Sequence, residues 1–147
     1  MSARYALLAV LLGLAGFAAV EVAGRAGGVL TAMTPHLWLD AATFAVATLL
    51  LAAAFARPFR RARAWALPLV GLGYLLLYAP LVGLLAAALE LTVDDSWGVP
   101  ALVRSAFVNT PVNVLFTLSI DVGYVALPLG VVATVWLIVA ARRSPRR

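Results

Sequence analysis

The six carboxylates are the residues of this chain best placed to do chemistry. Asp94 and Asp95 share one polar stretch, whereas Glu21, Asp40, Glu90 and Asp121 each sit in or at the end of a different long apolar run. A carboxylate inside an apolar membrane segment is costly to keep, so it is read first as a functional group. Asn113, Thr117, Asp121 and Tyr124 follow i, i+4, i+8, i+11 and share one face of a helix. His36, Asp40 and Thr43 share a face of another, with His36 and Asp40 at i, i+4. Behind Glu90, the small residues Ala79, Gly83, Ala86 and Ala87 form a groove suited to close helix packing. The candidate ligand or proton site is therefore Asp121, Asp40, Glu21, Glu90, His36, Asn113, Thr117 and Tyr124. If these faces converge, they form one outward-facing acidic pocket. Two members, Glu21 and Glu90, have a plainer reading as residues at the membrane rim. Glu21 has Arg25 at i+4 as a surface partner, and an acid near the headgroups costs little.

Several chemistries are excluded by what is missing. There is no Cys, so thiolate metal sites, disulfide relays and a Cys nucleophile are out. A single His cannot supply the paired ligands of a membrane b-type haem. Asp121 lies in Ser119-Ile120-Asp121-Val122-Gly123-Tyr124, which lacks the Gly-x-Gly-Asp element of intramembrane aspartyl proteases, and no Gly-x-Ser-Gly motif is present. Gly27-Gly28 is a lone pair, and Gly71-Leu72-Gly73 lies inside an apolar run, so neither is a phosphate loop. Glu21, His36, Asp40 and Asp121 would suit a hard or borderline divalent ion, but their spacing is not diagnostic. No catalytic residue or metal is assigned and the cofactor is unknown; whether the chain is an enzyme stays open, with the non-enzyme reading favoured.

The elements that must carry these residues follow from composition. The chain has 147 residues, 65% hydrophobic and 12% charged, against about 25% charged for a soluble domain. A helix needs about 20 apolar residues to cross a bilayer. Four such stretches occur, at about 5–24, 37–56, 64–91 and 111–141. The last is opened by Thr110-Pro111, a helix-start signal, and is expected to kink at Pro128. The expected fold is an all-α membrane protein: a single domain, 1–147, built as a four-transmembrane-helix bundle. In the outer 92–110 loop, Val99, Leu102, Val103, Ala106 and Phe107 make an apolar helical stripe, which predicts a short interfacial helix over 99–108.

All eleven basic residues are Arg, and their distribution sets the orientation. Arg4, the cluster Arg57, Arg60, Arg61 and Arg63, and the tail Arg142, Arg143, Arg146 and Arg147 fall on one side; Arg25 and Arg104 fall on the other. This places both termini in the cytoplasm of a cell-membrane protein. The acids then lie in the outer third of the membrane or at its rim. Trp38, Trp65 and Trp97 fall near the expected interfaces. The arginines occupy short turns rather than a basic domain, so nucleic-acid binding is rejected. A cleaved signal peptide is the alternative reading of the first span.

Two functions fit. Small size and long small-residue faces fit an accessory or assembly subunit of a membrane complex, with the bilayer and other subunits or further copies of the chain as partners. The acids fit a small proton- or cation-coupled transporter with an outward-facing acidic pocket. Ala19-Val20-Glu21-Val22-Ala23-Gly24 resembles the first-helix Glu region of small multidrug transporters. That resemblance covers six residues, Glu21 lies nearer the outer end, and the 92–110 loop is longer. Coupling carboxylates tend to sit near the midplane, and these do not, which favours the subunit reading. An outer-leaflet enzyme acting on lipid or quinone beneath the 99–108 helix is a third option.

Overall fold

The computed structural model describes residues 2–26, 37–93 and 123–143. They form helix α1 (Ala3–Ala26), helix α2 (Leu37–Arg61), a 3-10 turn (Ala64–Ala66), helix α3 (Leu67–Val93) and helix α4 (Gly123–Arg143). No strand occurs among the described residues. Three stretches are long and apolar enough to cross a membrane: Ala3–Val22, Leu37–Arg61 and Ala64–Ala86. The expected start of the fourth span near Pro111 and the expected 99–108 helix lie outside the described residues.

Local chemistry accounts for the helix ends. Ser2 caps α1: its hydroxyl accepts the Tyr5 N–H at 3.3 Å, and its carbonyl accepts the Ala6 N–H at 3.0 Å. α2 runs to Arg61, beyond the Ala56 expected for the apolar span, and carries Pro58 in its last turns. Proline there removes the N–H that would bond the Ala54 carbonyl, yet the helix holds. Arginines cover the carbonyls around it. Arg60 Nε donates to the Ala56 carbonyl at 3.2 Å, and Arg142 reaches across from α4 to the carbonyls of Phe59 and Ala62 at 3.3 and 2.7 Å. The chain then breaks at Arg63, which is extended (φ −64°, ψ 156°), and α3 opens with Pro68 in its first turn. Pro80 and Pro128 lie inside α3 and α4 without ending them.

Consecutive helices run antiparallel. Tyr5 meets Ala52 and Gly13 meets Thr48 between α1 and α2. Phe59 meets Tyr74 and Phe44 meets Tyr78 between α2 and α3. Gly71 meets Thr134 and Leu75 meets Gly130 between α3 and α4. α2 packs on all three other helices, whereas the described backbones of α1 and α3 do not approach each other closely. α2 is accordingly the most buried: Leu39, Thr43, Ala47, Leu51, Ala56 and Phe59 keep one side of it turned inward. The core lies toward the arginine-bearing end and contains Tyr5, Ala9, Leu51, Ala52, Phe59, Tyr74 and Leu137. Large apolar side chains elsewhere point outward, among them Leu7, Leu11, Leu69, Leu76, Val135 and Trp136. A soluble monomer would not expose so continuous an apolar surface.

α1 contributes its smallest residues to the tightest approach. A Cβ on Gly13 would lie 2.7 Å from the Phe44 carbonyl oxygen, 2.7 Å from Thr48 Oγ1 and 2.9 Å from the Ala45 Cα. Two of these are backbone atoms, so the helices themselves would have to separate. A Cβ on Gly16, one turn along, would meet nothing within 4 Å. Gly13→Ala should therefore destabilise the bundle by ~1–3 kcal/mol, and Gly16→Ala should not destabilise it. Unfolding of the purified protein in detergent, measured for both variants, separates a contact effect at Gly13 from a general effect of replacing glycine.

Candidate functional site

The candidate residues divide by what the structure describes. His36, Asn113, Thr117 and Asp121 lie outside the described residues. Glu90 on α3 and Tyr124 on α4 are placed in helix, without a described side chain. Glu21 and Asp40 are described in full. Glu21 accepts a charge-assisted hydrogen bond from Arg25 Nε at 2.7 Å, with the Arg25 side chain mostly exposed. This is the surface pair that their i, i+4 spacing allows. Asp40 is different: it is 1% exposed and enters the bundle interior in the first turn of α2. Thr43, on the same face, is fully buried, and its hydroxyl has no hydrogen-bond partner.

The helix register fixes the level of these groups. Gly13 opposite Thr48 and Phe17 opposite Phe44, with ring centroids 5.7 Å apart, carry α1 and α2 together away from the Arg142 end. Continuing that register brings Glu21 to the level of Asp40. On α3, the contacts of Tyr78 with Thr48 and Phe44 put Asp40 level with about Val82 to Ala86. Glu90 lies beyond them, by one to two turns or roughly 6–12 Å. The inward face of α3 carries Tyr74, Val82 and Ala86, which are buried, and Tyr78, which is half-buried. The small-residue groove expected behind Glu90 overlaps it at Ala86, while Ala79 and Gly83 are half-buried at its flank.

Inward of Asp40 and Thr43 the interior changes character. Thr48 Oγ1 donates to the Phe44 carbonyl at 2.7 Å and lies 3.0 Å from the Tyr78 hydroxyl. The Thr48 proton is committed to the carbonyl, so Tyr78 donates to Thr48. Beside this pair is a cavity of about 220 Å³ touched by all four helices, with Gly16, Phe44, Tyr74, Tyr78, Leu129 and Gly130 in its wall. Its wall is mainly apolar, and the Thr48–Tyr78 pair is already internally bonded. An apolar ring or a short length of hydrocarbon fits such a space, since a dry engineered cavity of about 150 Å³ takes up benzene. Further inward, Tyr74 packs at right angles to Phe55 with centroids 5.6 Å apart and tilts against Phe59 at 5.9 Å. The Tyr5 hydroxyl donates to the Ala52 carbonyl at 3.2 Å.

Sequence reasoning missed this cavity and the aromatic packing beneath it. The available signal was Tyr74 and Tyr78 at i, i+4 on α3, with small residues facing them at Gly16 and Gly130. Among the described residues, no three His, Cys, Asp or Glu side chains gather as a metal site.

The two buried hydroxyls give opposite expectations. Thr43→Val replaces an unsatisfied hydroxyl with a methyl group of the same shape and should stabilise the protein by ~1 kcal/mol. Tyr78→Phe removes the donor to Thr48 and should cost ~0.5–1.5 kcal/mol. Paired unfolding curves in detergent check both signs.

Comparison with known proteins adds no outside constraint: no family model, curated protein or solved structure matches this chain.

Proposed function

We propose that this chain is a four-span protein of the cell membrane, with both termini cytoplasmic, serving as an accessory or assembly subunit of a larger membrane complex. A fourth span is supported by the packing of α4 antiparallel to α3 and by the reach of Arg142 to the end of α2. Retention of the first span is supported by Tyr5 and Ala9, which are buried in the core. The orientation rests on the arginine asymmetry.

The observation that carries the subunit reading is the closed inner half of the bundle. Tyr5, Leu51, Ala52, Phe59, Tyr74 and Leu137 are each at most 7% exposed, and no charged residue belongs to their cluster. A coupled transporter needs polar groups or water along its path to the cytoplasm, and this core offers a bonded tyrosine hydroxyl and packed rings. The outward apolar faces, such as Val131, Val135, Trp136 and Val139 on α4, supply surface for lipid or a neighbouring subunit. One observation favours the transporter alternative: Asp40 is an acid held inside the bundle rather than at its rim.

The two readings separate by experiment. As a subunit, the chain in gently solubilised native membranes migrates in a species larger than any the purified chain forms alone. Proteoliposomes holding the purified chain show no proton or cation flux above empty vesicles. Identical migration in both settings, together with flux abolished by Asp121→Asn or Asp40→Asn, would establish the transporter instead. Topology is checked separately. A fluorescent reporter that works only in the cytoplasm should be bright at the C-terminus, and one that works only outside should be active near Gly28.

A further inference from the structure

We propose that the arginine-bearing end of the bundle is a docking surface for the headgroups of anionic phospholipids. Arg57, Arg60, Arg61, Arg63, Arg142 and Arg143 are all exposed there. The Arg142 bonds to Phe59 and Ala62 bring the end of α4 to the end of α2, and the Tyr5 bond to Ala52 brings Arg4 to the same end. No acidic residue occurs in 1–20, 41–89 or 122–147, so these guanidinium groups meet no carboxylate of their own helices at that end. Uncompensated positive charge of this density attracts anionic headgroups.

Charge asymmetry alone is a topology signal. Two further features make this end a surface for a ligand. First, Arg60 and Arg142 are already held in place by the Ala56 and Phe59 carbonyls of α2 and the Ala62 carbonyl just beyond it. Arg60 uses one N–H and Arg142 two in those bonds, so each keeps donors for a phosphate without first having to be ordered. Second, the surface is continuous with an apolar track. Trp65, 72% exposed, stands two residues past Arg63, and Leu69, Leu72 and Leu76 follow it at i+4, i+7 and i+11 on one face. All three leucines are more than half exposed. A partner that meets guanidinium groups at the helix ends and leucines directly below them carries a phosphate and a hydrocarbon chain together. That description fits a phospholipid and not an acidic protein domain.

The proposal rests on the reading that these helices cross a bilayer, and the test keeps the two apart. The full chain is placed in lipid nanodiscs of phosphatidylcholine alone or mixed with phosphatidylglycerol, and the lipids it retains are counted by native mass spectrometry. The wild-type chain should retain phosphatidylglycerol in preference to phosphatidylcholine. Among the described residues Arg57 and Arg61 make no hydrogen bond or ion pair, so the double variant Arg57→Gln/Arg61→Gln should melt as wild type in phosphatidylcholine. Its phosphatidylglycerol preference should fall by about tenfold. Inorganic phosphate added to the mixed discs should leave the retained lipid in place; complete displacement would mark a phosphate site and overturn the lipid assignment. A chain that inserts but shows no preference, or a double variant that keeps the full preference, overturns this proposal and leaves the membrane reading standing. A chain that stays out of the discs overturns both.

Discussion

Thr48 is the junction on which the packing of the first three helices depends. Its hydroxyl donates to the Phe44 carbonyl of its own helix and receives the Tyr78 hydroxyl of α3, while Gly13 of α1 lies close enough that no Cβ fits between them. Water is absent at this depth of a bilayer, so each polar group must find its partner within the protein. Threonine meets that demand by bonding back to its own turn, and it leaves an acceptor for one neighbour. Association in lipid gains little from burying apolar surface and depends on close packing and such bonds. The same device recurs in α4: Thr134 Oγ1 donates to the Gly130 carbonyl at 2.7 Å, and its methyl group faces Gly71 of α3.

The junction divides the bundle along its length. Inward of it, rings and small side chains fill the space, and the ends of α2 and α4 are tied together by Arg142. The cavity lies at its level, with Thr48, Tyr74 and Tyr78 in its wall; beyond it, away from the Arg142 end, lie the buried Asp40 and Thr43 and Glu21 with its Arg25 partner. The described carboxylates Glu21 and Asp40 thus lie at the end opposite the arginine cluster, where Arg25 pairs with Glu21, with an apolar interior between the two ends. Such a division suits a protein anchored at one face and available to a ligand or partner at the other.

Much of the framework was legible in the sequence because bilayer thickness sets a length scale that composition reveals directly. The three spans expected at about 5–24, 37–56 and 64–91 correspond to α1, α2 and the 3-10 turn followed by α3. α2 runs on to Arg61, past the Ala56 at which the apolar run ends, through Pro58 and the arginines. The structure carries the helix through them by placing arginine side chains on its last carbonyls. The Glu21–Arg25 pair was legible because i, i+4 spacing is local. The Thr48–Tyr78 bond was not, because it joins residues 30 apart and depends on a register that no local pattern encodes. The burial of Asp40 was half legible. Spacing placed it on a face with Thr43, but which face turns inward is settled by the packing of α2 against three other helices.

Packing leaves the Arg142-bearing half of the bundle dry and closed. The chain contains no cysteine, so single cysteines can be introduced and read without interference. Ala52, Ala56 and Ala141 are at most 8% exposed, whereas Ser2 is exposed at the same end. A water-soluble maleimide reacts only with thiols that can ionise in water. In membranes opened to reagent from both sides, Ser2→Cys should label fully, and Ala52→Cys, Ala56→Cys and Ala141→Cys should label only after denaturation. Rapid labelling of Ala52→Cys and Ala56→Cys in the folded protein would reveal a water path through the inner half and contradict the account.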